Sequence, residues 1–262
     1  MPVSTMTPPP FALTPKLAMS APIANLSKRF APPAAAEPST SPFSQALGYV
    51  WYEAAYWTTM AVLTLGFSLR YTGKRNIPKE GPVLLIANHQ SFLDPLAVGL
   101  ASPRHLSFLA RKTLFNNRLF GGLLRSLNTV PVDQQGIAKE GMRAILEKLK
   151  EGRPVLVFPE GERTWRGNIQ SLKPGIQLLI KRTHCPIVPV GIAGAFDALP
   201  RTRPWPLLSP LFMPATRGAI GVAVGKPLDS EQYAAMPREQ MLLELQTELE
   251  KVHAEAERIR RK

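Results

Sequence analysis

The chain has 262 residues, 45% of them apolar, which is enough for one sizeable hydrophobic core with room for a small appendage. The formal net charge of +13 fits a polyanionic partner, whether nucleic acid, an acidic membrane surface or a phosphorylated substrate. Cys185 is the single cysteine, which excludes an intrachain disulfide framework and agrees with a reducing compartment.

Residues 1–45 are rich in Pro, Ala, Ser and Thr, with Pro8-Pro9-Pro10 and Pro32-Pro33 as the densest points. Proline denies helix and sheet their hydrogen bonds, so a disordered tail is predicted. It does not read as a cleaved signal peptide. Its first basic residue is Lys16, and no compact apolar run closely follows Lys28 and Arg29.

The character changes at Ala46. Residues 46–71 read as one apolar helical segment, uncharged from Ala54 to Leu69. A spanning helix needs about 20 mainly apolar residues, so this run is short for a crossing. Trp51, Tyr52, Tyr56 and Trp57 are amphipathic aromatics that settle at the headgroup level of a bilayer. A helix lying in the membrane interface is the favoured expectation. A single span, or a helix packed on the protein's own core, remains open.

An α/β pattern follows over residues 72–230. Val83 to Ala87 is a short apolar run after Gly81-Pro82, predicted as a buried strand. Leu106 to Ala110 is a second strand candidate. Leu119 to Leu127 looks helical, and Val130 to Val132 is a short extended piece. Ile137 to Lys150 carries Met142, Ile145, Leu146 and Leu149 at helical spacing, and Gly152 closes it. Pro154 to Phe158 is apolar on both faces, as in a buried parallel strand. Leu172 to Lys181 suggests a helix, and Ile187 to Ile192 and Ile220 to Val224 further strands. The alternation predicts an α/β fold with a mostly parallel central sheet flanked by helices. Pro200 to Pro214, containing Trp205, Leu207, Leu208, Leu211, Phe212 and Met213, is a loop with exposed apolar potential. It offers a second membrane contact or a cover for the core. Residues 231–262 end in an amphipathic helix. Its stripe of Leu242, Leu245, Leu249, Val252, Ala256 and Ile259 is expected to dock on the domain or on a second subunit.

Two strand ends carry ionisable residues, where α/β folds place their active sites. Strand 83–87 runs into Asn88-His89-Gln90-Ser91-Phe92-Leu93-Asp94-Pro95. His89 is the side-chain type suited to general-base work near neutral pH. Asp94 can reach back to it across a turn and hold Nδ1–H, leaving Nε2 to take a proton from a hydroxyl. That is the base-and-orienter half of a Ser-His-Asp arrangement, without the serine. The nucleophile can then be the substrate's own hydroxyl. The bland alternative is a capping or core histidine.

The second strand end is Val157-Phe158-Pro159-Glu160-Gly161-Glu162-Arg163-Thr164. Gly161 permits a positive φ or close approach of substrate. Arg163 offers a rigid fork of donors suited to phosphate. Glu160 could hold that arginine or bind hydroxyls of an acceptor. A surface ion pair is the bland alternative. Lys173, before Pro174-Gly175, adds positive charge or is simply solvated. No Cys/His cluster has structural zinc spacing, and no metal is expected. The aromatics gather in the apolar run instead of interleaving with Lys and Arg, which speaks against nucleic acid.

Asn88-His89-Gln90-Ser91-Phe92-Leu93-Asp94 resembles the first block of the glycerolipid acyltransferases, the lysophosphatidic acid acyltransferase family. Phe158-Pro159-Glu160-Gly161 followed by Arg163 resembles the third block, which helps bind the acceptor's glycerol phosphate. Leu172-Lys173-Pro174-Gly175 resembles the continuation of that block. Ile187-Val188-Pro189-Val190 resembles the fourth, an apolar segment near the acyl site. Four pieces in the family's order, over about residues 70–230, make the resemblance specific.

The resemblance implies an acyltransferase of phospholipid biosynthesis. It would move a fatty acyl group from acyl-CoA or acyl carrier protein to the free hydroxyl of 1-acyl-glycerol-3-phosphate, giving phosphatidic acid. His89 would be general base and Asp94 its orienter. Glu160, Gly161, Arg163 and Lys173 would bind the acceptor, and Val188 and Pro189 would lie by the acyl chain. No cofactor beyond the co-substrate, and no acyl-enzyme, is implied. Backbone amides near Gly161 are the expected oxyanion donors. Such a protein is expected on the cytoplasmic face of the cell membrane, peripheral or monotopic.

Two positions depart from the family's pattern. Gln134, after Asn128-Thr129-Val130-Pro131-Val132-Asp133, stands where a phosphate-binding arginine is usual, and Glu162 where a small polar residue is usual. A neutral amide lacks the charge-assisted contact. Lys112, Arg125 or Lys139 would then compensate, or the acceptor differs, for instance glycerol 3-phosphate or another lysolipid. A non-catalytic membrane scaffold with the same fold is the third alternative.

Overall fold

The computed structural model describes residues 42–116, 129–132, 137–212 and 216–261. Most of the tail expected over 1–45, the helix expected at Leu119–Leu127, Arg125, Asp133, Gln134 and Met213 lie outside them. So do the side chains of Trp51, Tyr52 and Lys139.

Helix α1 (Pro42–Phe67) leads into strand β1 (Arg70–Thr72). The chain continues through β2 (Val83–Ala87), α2 (Asp94–Ala101), β3 (Ser107–Arg111) and β4 (Thr129–Val132). Then come α3 (Ile137–Lys150), β5 (Pro154–Val157), α4 (Gly175–Thr183) and β6 (Ile187–Ala193). The last elements are α5 (Ala195–Ala198), β7 (Gly221–Val224), α6 (Ser230–Ala235) and α7 (Arg238–Arg260).

The strands form one sheet in the order β1-β7-β6-β2-β5-β3-β4. All pairings are parallel except β6 with β7. The mostly parallel sheet expected from the alternation is therefore present. Strand β1 corrects the helical segment expected to run to 71, because the helix stops at Phe67 and three residues are too few to carry a period of their own. Helix α2 is another, since Asp94-Pro95 opens a helix of only one short apolar stretch.

Strand β2 lies mid-sheet and is buried throughout, which is why its sequence is apolar on both faces. Val83, Leu85 and Ala87 join a core with α1 and α2, including Leu63, Phe67, Ala97 and Val98. Leu84 and Ile86 point to the opposite face. There they meet Ile145 and Leu149 of α3, Ile176 and Ile180 of α4, and Leu245 and Leu249 of α7. Cys185 is wholly buried in the same cluster, and burial pushes its thiol above the usual range.

Helix α7 docks on this domain, against β6 and β7. Small residues permit the approach. A Cβ on Gly191 would lie 2.2 Å from the backbone carbonyl of Val252, and one on Gly221 2.3 Å from the carbonyl oxygen of Ala256. Ala193, Ala223 and Ala256 fill the remaining gap.

Helix α1 is two-sided. Tyr56, Met60, Leu63 and Phe67, at helical spacing, pack on the core. Val50, Trp57, Val62 and Leu65 face outward. Among the described residues no helix is long and apolar enough to cross a membrane.

Candidate active site

The parallel pairing of β2 with β5 decides the site. Ile86 lies beside Val157 in register, so both strands end on the same edge of the sheet. The segment after each strand carries one of the two ionisable motifs. Residues about seventy apart in the chain thereby become neighbours.

His89 Nδ1 lies 2.8 Å from Asp94 Oδ2. That carboxylate oxygen also accepts the backbone N–H groups of Gln90 and Ser91. With an ionised carboxylate, which only accepts, Nδ1 is the donor, and in the neutral ring the lone pair then falls on Nε2. Asp94 is 0% exposed and sits in the first turn of α2, where the helix dipole favours negative charge. The side chain of His89 is 19% exposed. Its ring stacks on Phe158, centroids 3.9 Å apart and planes at 15°.

Asn88 anchors the same loop. Its side chain donates to the Ile192 carbonyl at 2.9 Å and accepts the Ile192 N–H at 2.8 Å, fastening the end of β2 to β6. Gln90 donates to the Gly167 carbonyl at 3.0 Å and accepts from Phe196 N–H at 3.3 Å.

Glu160 is nearly wholly buried. Its two carboxylate oxygens accept the backbone N–H of His89 at 2.8 Å and of Gln170 at 2.9 Å. Burial raises its carboxyl to about 7, against the lowering effect of those two N–H groups. It therefore fastens the histidine's backbone to the second loop, where sequence alone suggested a hold on Arg163 or on acceptor hydroxyls. The Thr164 N–H donates to the His89 carbonyl at 2.8 Å, so the two loops are tied in both directions.

Gly161 has φ of 78°, the left-handed conformation its residue type permits. Its N–H donates to the Phe158 carbonyl at 3.1 Å, closing a turn. That amide is committed within the turn, so among the amides near Gly161 its own is not available to an oxyanion. The Arg163 guanidinium lies over the ring of Phe92, 3.5 Å from its centroid. Lys173 is exposed, and its Cγ lies 3.4 Å from where a Cβ on Gly161 would stand. Its N–H donates to the Pro159 carbonyl at 2.7 Å.

His89, Asp94, Glu160, Gly161, Arg163 and Lys173 are thus brought to one end of the sheet. Val188 and Pro189 are not. Both are buried within β6, beside Leu85 and Ile86, and Val188 is wholly inaccessible. A central strand covered on both faces presents no surface to an acyl chain. Lys112 is exposed after β3. Among the described residues no group of three or more His, Cys, Asp or Glu side chains could hold a metal ion.

Four contributors escaped the sequence reading. Phe92 and Phe158 stood inside the recognised motifs, but an aromatic in an apolar stretch gives no sign of stacking on a particular partner. Gln170 and Arg201 act through contacts distant in sequence and leave no local signal.

A histidine bonded to a buried carboxylate is thus tied to a loop that carries an arginine laid over Phe92. Residues 68–193 match the family described as Acyltransferase. The chain is 25% identical over 182 residues to the 1-acyl-sn-glycerol-3-phosphate acyltransferase of Bacillus subtilis, covering 69% of this chain and 84% of that one. It is 28% identical over 205 residues to the enzyme of the same name from Saccharomyces cerevisiae, covering 73% of this chain and 64% of that one. The fold is similar to the crystal structure of the 1-acyl-sn-glycerophosphate (LPA) acyltransferase PlsC from Thermotoga maritima. The TM-score is 0.64 at 26% identity, with 85% of each chain covered.

Proposed function

We propose that this chain transfers a fatty acyl group from an acyl thioester to the free hydroxyl of 1-acyl-glycerol-3-phosphate, giving phosphatidic acid. The observation that carries it is the His89–Asp94 pair, tied to the loop of Arg163, within a stretch that matches this family. The names of the relatives supply the acceptor. The thioester is acyl-CoA or acyl carrier protein.

In this mechanism His89 Nε2 removes the proton of the acceptor hydroxyl as its oxygen attacks the thioester carbonyl. Asp94 holds the ring's tautomer and steadies the imidazolium. The tetrahedral intermediate collapses, the C–S bond breaks, and the imidazolium returns its proton to the leaving thiolate. Arg163 and Lys173 hold the acceptor's phosphate by charge-assisted contacts. The proton and electron pair move between imidazole and substrates, so the proposal calls for neither acyl-enzyme nor metal.

Lipid substrates require access to a bilayer. The loop after α5 supports this. Ser209 N–H donates to the Gly66 carbonyl at 2.8 Å and Leu211 N–H to the Leu65 carbonyl at 3.1 Å. Trp205, Leu208, Leu211 and Phe212 are therefore held exposed beside the end of α1, whose Trp57, Val62 and Leu65 are also exposed. These two exposed apolar segments support peripheral attachment to a membrane, which this reading places at its cytoplasmic face.

Gln134 favours a second acceptor, glycerol 3-phosphate or another lysolipid, with the same chemistry. Purified protein incubated with acyl-CoA or acyl carrier protein donors and a panel of these acceptors, read by mass analysis of the product, separates the two. Turnover of 1-acyl-glycerol-3-phosphate above the others supports the proposal. Turnover of none of them sinks it and favours a scaffold.

A further inference from the structure

Phe92 lies between His89 and Asp94 in the chain, yet its ring is 56% exposed. A large apolar side chain held at the mouth of a site gains little from core burial. What it does contact is Arg163, whose guanidinium carbon stands 3.5 Å from the ring centroid. Cation–π attraction of this kind holds the guanidinium over the ring face.

Arg163 is fixed from the other side through its backbone. The Arg201 guanidinium donates to the Arg163 carbonyl at 3.0 Å and to Glu162 Oε2 at 3.2 Å. It also lies over the Trp165 ring, 3.6 Å from the centroid. Glu162, a departure from the family's usual pattern, thus has a partner in this chain. One arginine is held by an aromatic of the first motif. Its main chain is held by a second arginine, itself braced by an aromatic and a carboxylate.

We propose that Phe92 and Arg201 are positioning residues that set the Arg163 guanidinium in place for the acceptor's phosphate before the acceptor arrives. This rests on the reading of Arg163 under Proposed function. An arginine loses rotamer freedom when it grips a phosphate. Held in advance, it loses less, and the acceptor binds more tightly.

The test is initial-rate kinetics on the full chain with 1-oleoyl-glycerol-3-phosphate as varied acceptor and oleoyl-CoA or oleoyl acyl carrier protein as donor. Phe92→Leu is expected to raise acceptor KM about 3- to 10-fold, with a much smaller change in kcat and in donor KM. Phe92→Tyr and Phe92→Trp, which keep a ring face, should restore acceptor KM. Arg201→Gln should raise acceptor KM in the same direction. In an Arg163→Gln background, Phe92→Leu should add nothing, because its effect passes through the arginine. Unfolding temperatures of the variants, followed by circular dichroism, keep loss of fold apart from loss of placement. Phe92 is exposed enough for its own substitutions to leave the fold intact.

Two results would overturn the proposal. One is an equal Phe92→Leu effect with and without Arg163, which would make the ring a direct lipid contact. The other is a change in donor KM alone. If Arg163→Gln left acceptor KM unaltered, the phosphate role of Arg163 would fail first and the positioning role with it. A raised KM in Arg163→Gln beside an unaltered one in Phe92→Leu would sink the positioning role alone.

Discussion

The carboxylate of Glu160 accepts the backbone N–H of His89 at 2.8 Å, so the loop after β5 holds the main chain of the candidate base in the loop after β2. The other oxygen takes the N–H of Gln170 at 2.9 Å. One buried side chain thereby ties three segments at the carboxyl edge of the sheet.

That position has a signature in pH. Burial raises the folded-state carboxyl to about 7, while the unfolded chain titrates near 4.5. Between those values the folded protein keeps a proton that the unfolded chain has lost. The stability this contributes is complete below the unfolded value and is lost as pH rises through 7. Glu160→Gln removes the titration. Urea unfolding is expected to show wild type losing about 2 kcal/mol relative to Glu160→Gln between about pH 5 and about pH 8. A constant difference across that range would show that Glu160 does not titrate as described.

His89→Ala removes the proposed base, and Asp94→Asn alters the group proposed to hold its tautomer. Each is expected to lower kcat by about 100- to 10,000-fold with a small change in acceptor KM. His89→Ala should leave the unfolding midpoint nearly unchanged, because the ring is partly exposed. Asp94→Asn should lower it, because a buried acceptor for Gln90 and Ser91 is altered. Ordinary turnover by His89→Ala would defeat the assignment of the base.

Asn88→Ala leaves the Ile192 carbonyl and N–H without the side chain that satisfies both. Buried backbone groups without partners are costly, and a small void is added. A loss of about 2–4 kcal/mol in chemical denaturation is expected, with reduced activity because the His89 loop is no longer fastened to β6. A loss below about 0.5 kcal/mol would mean that water replaces the amide without penalty.

The exposed apolar edge predicts a binding phenotype without a catalytic one. Phe212 is 88% exposed and Trp205 78% exposed, so neither contributes much to the core. Phe212→Ser with Trp205→Ser is expected to reduce sedimentation with vesicles containing phosphatidylglycerol about 10-fold or more. The turnover of a detergent-dispersed, soluble short-chain acceptor should change much less. Added salt should weaken the vesicle binding of both proteins, through the positive charge of the chain. Undiminished sedimentation of the double variant would remove the loop from the membrane surface.

The sequence by itself determined the local elements and the chemistry available at two strand ends. Val83–Ala87 and Ile137–Lys150 appear within the limits their apolar patterns predict, since a buried strand and an amphipathic helix each leave a period in the chain. His89, Asp94 and Arg163 stood out in the sequence as candidates for a base, an orienter and a phosphate ligand, because strand ends are where α/β folds place ionisable site residues. Only the tertiary structure decided which strands are neighbours. The parallel pairing of β2 with β5 sets Glu160 against His89, and nothing within either segment encodes that pairing. The antiparallel turn of β7 against β6, the close seat of α7 on Gly191, and the burial of Val188 and Pro189 are of the same kind. So is the stacking of Arg163 on Phe92. Each depends on contacts between residues far apart in the chain, which the order of the strands creates and a local period cannot carry.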